Sequence, residues 1–340
     1  MGDIGGMWGE IKYLGRKNLL VYVTSKCNQR CSHCFYLSKI NVMEDSLSIE
    51  NVRRILPRLP RIRDLCFTGG EPFLRNDLKE MASLFVDYLD AKRLEVDTNG
   101  SFSDRTYDFC KNYLSRYRKK KLTIQLSILG PASVHDSITG IKGSFEKLDE
   151  TVTLLAGLNK KYKNIEIYFC VPIMRSNYKE APFLMQYANN NNIMIKFSPL
   201  KSVTKTVHAK TSLHNTDFVV NDETLFLKND EYRVFLQNVE KEIKKYKSAL
   251  WPKRDRLRNH AYLFVNSGHS LGECRFRKNN LIFFSNGDYS MCELLKPIGN
   301  ILDDNGDLAM AKENFKKWIE NTKQCFCSHG SYIFNNMKQY

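Results

Sequence analysis

Three cysteines lie close together near the start of the chain, in the spacing Cys27-x3-Cys31-x2-Cys34. Three thiolates on one short loop can ligate three irons of a cubane, whereas an iron–sulfur site normally takes four cysteines. The spacing therefore predicts a [4Fe–4S] cluster whose fourth iron has no ligand from the protein. A zinc site that lacks one ligand, or three unrelated thiols, would show the same spacing.

A second group of cysteines lies near the end of the chain and consists of Cys274, Cys292, Cys325 and Cys327. Four thiolates can fully ligate one iron–sulfur cluster. A structural zinc ribbon and a redox-active dithiol are the alternatives. The imidazole of His329 could replace one of the last two cysteines and leave one iron open.

Six short apolar runs, separated by segments with helical periodicity, must position these groups. They are Leu19–Thr24, Leu65–Thr68, Leu94–Asp97, Leu122–Ser127, Ile165–Val171 and Ile193–Phe197. Runs of this kind are typical of parallel strands that are buried on both faces. The repeats predict an α/β fold in which a parallel sheet curls into a partial, TIM-like (β/α)6 barrel.

In barrels of this type the chemistry lies at the carboxyl ends of the strands. The motif Thr68-Gly69-Gly70-Glu71-Pro72 follows the second run, Asn99 follows the third, and Ser127 ends the fourth. Cys27 follows the first run in the same way. We therefore expect all of them to meet at one end of the barrel, although Gly-Gly-Glu-Pro alone could also form an ordinary turn.

Together these motifs resemble the radical S-adenosylmethionine (SAM) superfamily, from Asn18 to about Leu200 and again from Cys274 onward. The resemblance implies an enzyme in which the first cluster binds S-adenosylmethionine at its open iron. Such enzymes generate a 5′-deoxyadenosyl radical that abstracts hydrogen from a substrate C–H bond. The cofactor-binding residues that it implies are His33, Gly69, Gly70, Glu71, Pro72, Asn99 and Ser127.

The resemblance also gives several of these residues a role. His33 is implied near the adenine, the two glycines let the backbone approach the methionine moiety, and Glu71 contacts its ammonium group. One departure is Leu129, which stands where the peptide-modifying branch carries an aspartate two residues after the serine. One polar contact of that branch is therefore missing or supplied elsewhere.

The second cysteine group resembles the SPASM and twitch extensions of this superfamily, because Gly287 precedes Cys292 by five residues. A full SPASM domain would continue with a longer run of cysteines than Cys325-x-Cys327. The resemblance therefore implies a small twitch-type domain with one auxiliary [4Fe–4S] cluster. The fourth ligand stays open between Cys325, Cys327 and His329.

Shifts in composition divide the chain into three parts. Residues 1–200 form the predicted radical SAM partial barrel, and residues 271–340 form the twitch-like cluster domain with a hairpin and a closing helix at about Leu308–Ile319. Residues 201–270 are polar and connect the two, with one predicted helix from Asp230 to about Leu250. We expect this connecting region to cover the mouth of the barrel.

The composition places the chain in a broad class. Its 42% of apolar residues can form a sizeable core, and no stretch is long enough for a membrane span or looks like a targeting segment. Ten cysteines in such a chain indicate metal or redox ligands in the cytoplasm rather than disulfides. Cys66, Cys110 and Cys170 have no partners at ligand spacing, so we expect them to pack in the interior.

For the substrate we expect a ribosomally made peptide that is oxidised, cross-linked or epimerised, because most SPASM and twitch relatives act on peptides. The residues before the first strand are few for a leader-binding domain, and the net charge of +15 also fits a sugar, aminocyclitol or nucleotide-linked substrate. Further alternatives are a tRNA-modifying enzyme and a metalloprotein that senses iron or redox state. A flavodoxin- or ferredoxin-type protein is the expected electron donor. Candidate acid/base groups are Asp288, Glu293 and His269.

Overall fold

Six parallel strands lie where the apolar runs predict them. They are β1 (Asn18–Thr24), β2 (Asp64–Gly69), β3 (Arg93–Thr98), β4 (Lys121–Ser127), β5 (Ile165–Ile173) and β6 (Met194–Pro199). Each pairs in parallel with its neighbours in chain order. This computed structural model describes residues 18–327 except 209, 218–219, 221, 247–249, 275 and 304–311.

Helices follow the strands and cover one face of the sheet. They are Ile49–Ile55, Leu78–Tyr88, Ser103–Arg116, Ala132–Thr139, Ser144–Lys161 and Ala181–Asn191, with 3-10 turns at Leu56–Arg58, Pro72–Leu74 and Tyr178–Glu180. Their apolar faces pack on the strands; the ring of Phe85, for example, meets that of Phe67 edge-on at 5.5 Å. Burial of these faces, rather than helix propensity, holds the helices in place.

The C-terminal hairpin extends the barrel sheet. Its strands are β7 (Asn280–Phe283), β8 (Asp288–Ser290) and β9 (Gly299–Asn300), and the turn passes through Gly287 at a φ of 88°. The sequence predicts this hairpin but not its position, because β7 pairs in parallel with β1. The strand order is β6-β5-β4-β3-β2-β1-β7-β8-β9, so the described strands form an open sheet, as the predicted partial barrel requires.

The connecting region contains two long helices where the sequence predicts one. Asn229–Tyr246 matches the predicted helix, whereas Lys253–Asn266 has no counterpart among the predicted elements. The second helix is tied to β6, because the guanidinium of Arg258 donates to the carbonyl of Phe197 at 2.6 Å.

The remaining elements are short. They are the helices Val203–Thr206 and Phe276–Asn279, the 3-10 turn Glu223–Leu225, and the closing helix Lys312–Asn321. The first residues of the predicted closing helix, 308–311, lie outside the described part of the chain. Among the described helices none has both the length and the apolar character to cross a bilayer.

We expect Phe283→Ala to lower the free energy of unfolding by about 3–5 kcal/mol, because its ring is 0% exposed in the main core. Denaturant unfolding measures the loss. The matched control is Phe264→Ala, whose ring is 49% exposed and whose loss should stay within about 0.5 kcal/mol. Equal losses for both variants would show that the hairpin does not complete the core.

Candidate active site

The first cysteine group lies on the loop that leaves the end of β1. The loop rests on the helix Ala132–Thr139, because the backbone amides of Arg30 and Ser32 donate to the carbonyls of Thr139 and Ile138 at 3.2 and 3.0 Å. Cys27, Cys31 and Cys34 are all partly buried on this loop. The sequence prediction that the motif follows a strand end is therefore confirmed.

Two residues that the sequence analysis did not single out fix the ends of this loop. Asn41 binds the backbone of Cys27 twice, accepting from its amide and donating to its carbonyl at 3.0 Å each. Asp45 accepts from the hydroxyl of Thr24 at 2.5 Å and from the amide of Ser25 at 2.7 Å. No motif marks either residue, since three of these four contacts are to backbone groups that any sequence would supply.

Burial sets the acidity of the three thiols. It raises the pKa values of Cys27 and Cys34 to about 11 and the pKa of Cys31 further above its usual range. Thiolate, not thiol, is the form that binds iron, so a metal that enters this loop must displace protons.

The two glycines of the Gly-Gly-Glu motif bring this motif against the cysteine loop. A Cβ on Gly69 would lie 2.3 Å from the carbonyl oxygen of Thr24, and one on Gly70 would lie 2.1 Å from that of Lys26. In this position the amide of Gly70 donates to Thr24 and the amide of Glu71 to Lys26, both at 2.8 Å. The structure thus gives the glycines a role in joining two protein segments, beside the approach to the cofactor that the sequence analysis expects.

The carboxylate of Glu71 is 0% exposed and binds the end of β3. Its Oε1 accepts from the hydroxyl of Thr98 at 2.7 Å and from the amide of Phe73 at 3.0 Å, and its Oε2 accepts from the amide of Asn99 at 2.8 Å. Burial raises the pKa of Glu71 to about 7, while these three hydrogen bonds oppose the rise. Thr98 is a site residue that the sequence analysis missed, although it stands directly before Asn99.

The other predicted cofactor residues lie around this junction. The side chain of Asn99 donates to that of Asn28 on the cysteine loop at 2.9 Å. Pro72 is buried and begins the 3-10 turn after Glu71. Ser127 is partly exposed at the end of β4, and Leu129, which follows it, is buried.

His33 contributes a buried nitrogen without a partner. Its Nδ1 has no hydrogen-bond partner among the described residues. Burial, with a smaller effect of His135, lowers the pKa of His33 to about 4, so its ring is neutral at pH 7. Its neighbour His135 is positioned by the backbone, because its Nδ1 accepts from the amide of Leu129 at 3.2 Å.

One polar group is built around Glu293 on the inner face of the sheet, the face opposite the helices. Its Oε1 accepts from the hydroxyl of Tyr22 on β1 at 2.6 Å, and its Oε2 pairs with Lys201, just after β6, at 2.5 Å. The ammonium of Lys201 also lies over the ring of Phe35, 4.7 Å from its centre. Glu293, the residue after Cys292, is therefore bound both to β1 and to the segment that follows β6.

A second inner group lies on β2 and β3. Ligand atoms of Cys66, Glu95 and Asp97 all lie within 4.8 Å of one another, and the hydroxyl of Tyr168 on β5 donates to Glu95 at 2.5 Å. Burial, followed by the charge of Glu95, raises the pKa of Asp97 well above its usual range. Cys66 thus belongs to a polar group, whereas Cys110 packs in the apolar core as the sequence predicts.

The other two acid/base candidates lie elsewhere. Asp288 is part of the hairpin turn, where it accepts from the side chains of Asn286 and Asn300 at 2.8 and 3.1 Å. The exposed ring of His269 stacks on that of Phe264 at 4.6 Å. Of the three candidates, the structure brings only Glu293 to the inner face of the sheet.

The second cysteine group lies beside a histidine that the sequence analysis missed. Cys274 is buried, Cys292, Cys325 and Cys327 are partly buried, and the Nε2 of His214 lies 3.3 Å from the Sγ of Cys325. His329, the alternative ligand that the sequence suggests, lies outside the described residues.

One apolar cluster contacts both cysteine groups. Its buried members are Tyr22, Tyr36, Ile40, Val203, Val207, Ile282, Phe284 and Leu294. Cys27 and Cys34 pack against this cluster from the first group, and Cys292, Cys325 and Cys327 pack against it from the second. The two groups therefore border the same apolar cluster.

Residues 21–174 match the family model described as the Radical SAM superfamily. Fe-coproporphyrin III synthase of Methanosarcina barkeri is 26% identical over 187 residues, which are 52% of this chain and 42% of that protein. GTP 3′,8-cyclase of Acidothermus cellulolyticus is 31% identical over 137 residues, 35% of each chain. The chain therefore spans less than half the length of these two relatives.

Two solved structures share the fold over most of the chain. Streptococcus suis SuiB bound to the precursor peptide SuiA has a TM-score of 0.59 and 15% identity, covering 91% of this chain and 70% of SuiB. The anSMEcpe structure with bound AdoMet has a TM-score of 0.61 and 20% identity, covering 88% of this chain and 82% of the other. At these identities the likeness concerns the fold.

We expect Gly70→Ala to displace the cysteine loop, because the added Cβ would meet a backbone oxygen at 2.1 Å. Overpacking of this kind costs about 1–3 kcal/mol of stability and should reduce the iron bound after anaerobic reconstitution. The control is Gly157→Ala, which meets nothing within 4 Å and should stabilise its helix by about 0.5–1 kcal/mol. If both variants bound iron like the parent protein, the close approach would have no role.

Glu71 should make the stability of the metal-free protein depend on pH. Because its pKa rises from 4.5 to about 7 on folding, the native state holds a proton that the unfolded chain releases between these values. Stability should therefore fall by up to about 3 kcal/mol as the pH rises through this window, and level off above it. Denaturant unfolding at several pH values checks this against Glu71→Gln, and a constant difference between the two proteins would contradict it.

Proposed function

We propose that this radical SAM enzyme, whose family domain covers residues 21–174, abstracts hydrogen from a peptide substrate. The observation that carries the proposal is the junction at the end of β1. There a three-thiol loop and the Gly-Gly-Glu turn are held together by two backbone hydrogen bonds of 2.8 Å. This junction assembles the groups that the family's chemistry needs from two separate segments.

The family implies a [4Fe–4S] cluster and S-adenosylmethionine, and the residues at the junction fit both. Cys27, Cys31 and Cys34 supply three thiols and leave one iron open to the cofactor. The buried Nδ1 of His33 has no partner among the described residues, so it can bind a ligand's polar group. When bound, the cluster supplies the electron that cleaves S-adenosylmethionine and so starts hydrogen abstraction.

The inner face of the sheet binds the substrate in this proposal. Lys201, Glu293 and Tyr22 offer both charges and a hydroxyl, and Asp97 has a buried Oδ1 without a partner in the described part of the chain. Such a mixed lining can bind the amides and side chains of a peptide and hold the reacting C–H bond in place. Glu293 is the group that we propose accepts or returns a proton.

Two further observations favour a peptide. SuiB, bound to its precursor peptide, and anSMEcpe, bound to the Cp18Cys peptide, share this fold. The second cysteine group, Cys274, Cys292, Cys325 and Cys327, provides four thiols, enough for an auxiliary [4Fe–4S] cluster that would exchange an electron with the substrate. The net reaction is then an oxidation, a cross-link or an epimerisation.

A nucleotide is the second candidate substrate. The relative with 31% identity over 137 residues is a GTP 3′,8-cyclase. The ammonium groups of Lys196, over the ring of Tyr168, and of Lys201 lie where a phosphate could pair with them.

The anaerobically reconstituted protein should contain about eight irons per chain, for two four-iron clusters, and should form 5′-deoxyadenosine when reduced in the presence of S-adenosylmethionine. Replacing Cys27, Cys31 and Cys34 by alanine should remove about half of the iron and all of the 5′-deoxyadenosine. Replacing Cys274 and Cys292 should keep 5′-deoxyadenosine and abolish the product. Cys110→Ala, in the apolar core, is the control. Zinc in place of a reducible cluster would refute the assignment.

Deuterium labelling distinguishes the substrates in the same assay. A fully deuterated candidate peptide that is turned over should transfer deuterium into 5′-deoxyadenosine, because the radical takes its hydrogen from the substrate. Transfer from deuterated GTP instead would favour the nucleotide.

A further inference from the structure

A buried histidine is placed to control the second cysteine group. We propose that the Nε2–H of His214 donates a hydrogen bond to the thiolate of Cys325 and thereby raises the reduction potential of the auxiliary cluster. This inference rests on the proposed function, because it assumes that Cys274, Cys292, Cys325 and Cys327 hold that cluster. The contact behind it is the 3.3 Å separation of Nε2 and Sγ.

The tautomer of His214 follows from its other ring nitrogen. Nδ1 lies 2.9 Å from the backbone nitrogen of Thr211, closer than the 3.2 Å to the Thr211 carbonyl oxygen. A backbone N–H can only donate, so Nδ1 accepts and carries no proton. A neutral imidazole then has its proton on Nε2, the atom that faces the sulfur.

The proton on Nε2 is also evidence against His214 as an iron ligand. A ring nitrogen must offer its lone pair to a metal, and on Nε2 that position is taken by the N–H bond. In this tautomer the side chain donates to the cysteine sulfur and does not act as an iron ligand. Hydrogen bonds to cluster sulfurs withdraw electron density and favour the reduced, more negative cluster.

The backbone around His214 holds the ring at this position. His214 is 4% exposed and forms an antiparallel bridge with Leu295, three residues after Cys292. The amide of Asn215 donates to Leu294 at 2.9 Å, and the amide of Lys296 donates to Leu213 at 2.8 Å. The main chain of the histidine is thus bound to the Cys292 segment while its side chain reaches Cys325.

Residues 207–208, which precede His214 in the chain, bind the segment that carries the last two cysteines. Val207 forms an antiparallel bridge with Cys327, and the amide of His208 donates to the carbonyl of Phe326 at 3.0 Å. The ring of His208 stacks on that of Phe326, with 5.2 Å between the centres. His208 thus shares the environment of His214 without its contact to sulfur, and it serves as the matched control.

The test uses the full chain with Cys27, Cys31 and Cys34 replaced by alanine, so that only the second group can hold a cluster. After anaerobic reconstitution, a redox titration followed by electron paramagnetic resonance gives the midpoint potential. His214→Leu should shift this potential to a more negative value at unchanged iron content. His208→Leu should leave it unchanged, and His214→Gln, whose amide can still donate, should fall between parent and His214→Leu.

A measurement on the protein with His214 intact avoids any effect of substitution on folding. Electron–nuclear double resonance of the reduced cluster should show a proton that exchanges in D2O, and no directly bound nitrogen. An unchanged potential in His214→Leu, equal shifts in both leucine variants, or a strongly coupled nitrogen would each overturn the proposal. If the second group bound no iron at all, the auxiliary cluster itself would be refuted, while formation of 5′-deoxyadenosine by the parent enzyme would still stand.

Discussion

The close backbone contact between the end of β1 and the Gly69–Gly70 turn is the constraint on which the rest of the site depends. It allows two amides to donate across the junction at 2.8 Å, and it leaves no room for a side chain on either glycine. From there Glu71 binds the end of β3, and Asn99 returns to the cysteine loop through Asn28. The contacts form a closed ring, so that a shift in one segment would displace the other two. Each hydrogen bond is worth only about 1 kcal/mol on balance, but a broken one would leave a buried acceptor without a partner.

The two faces of the sheet have different roles, one in stability and the other in chemistry. On β2 and β3 the residues Leu65, Phe67, Leu94 and Val96 pack under the helices, whereas Cys66, Glu95 and Asp97 alternate with them and point to the inner face. The apolar face supplies the burial that holds the barrel together. The polar face can therefore carry ionisable groups whose pKa values are shifted by burial, as for Asp97. Burying such groups costs free energy, and the apolar face offsets this cost.

Much of this arrangement could be predicted from local sequence, and the exceptions share a physical reason. The six strands were predicted within a few residues because parallel strands covered by helices are apolar along their length. The alternation Leu94-Glu95-Val96-Asp97 also indicates that one face of β3 is polar, which the prediction of a strand buried on both faces did not include. The pairing of β7 with β1 and the approach of His214 to Cys325, 111 residues apart, leave no mark in local sequence. The helix Lys253–Asn266 was missed because its charges hide the apolar positions.

The pairing of β7 with β1 also has a consequence for how the chain is made. The side chains of Asn18 and Asn280, at the start of these strands, bond across 262 residues of sequence, so β1 emerges from the ribosome about 10–50 s before its neighbour is synthesised. During that interval one side of β1 presents unpaired amides and carbonyls, the kind of edge that recruits strands of other chains. The first cysteines therefore leave the ribosome directly after a strand with an open edge, and the nascent chain passes through a stage in which this edge can pair with strands of other chains.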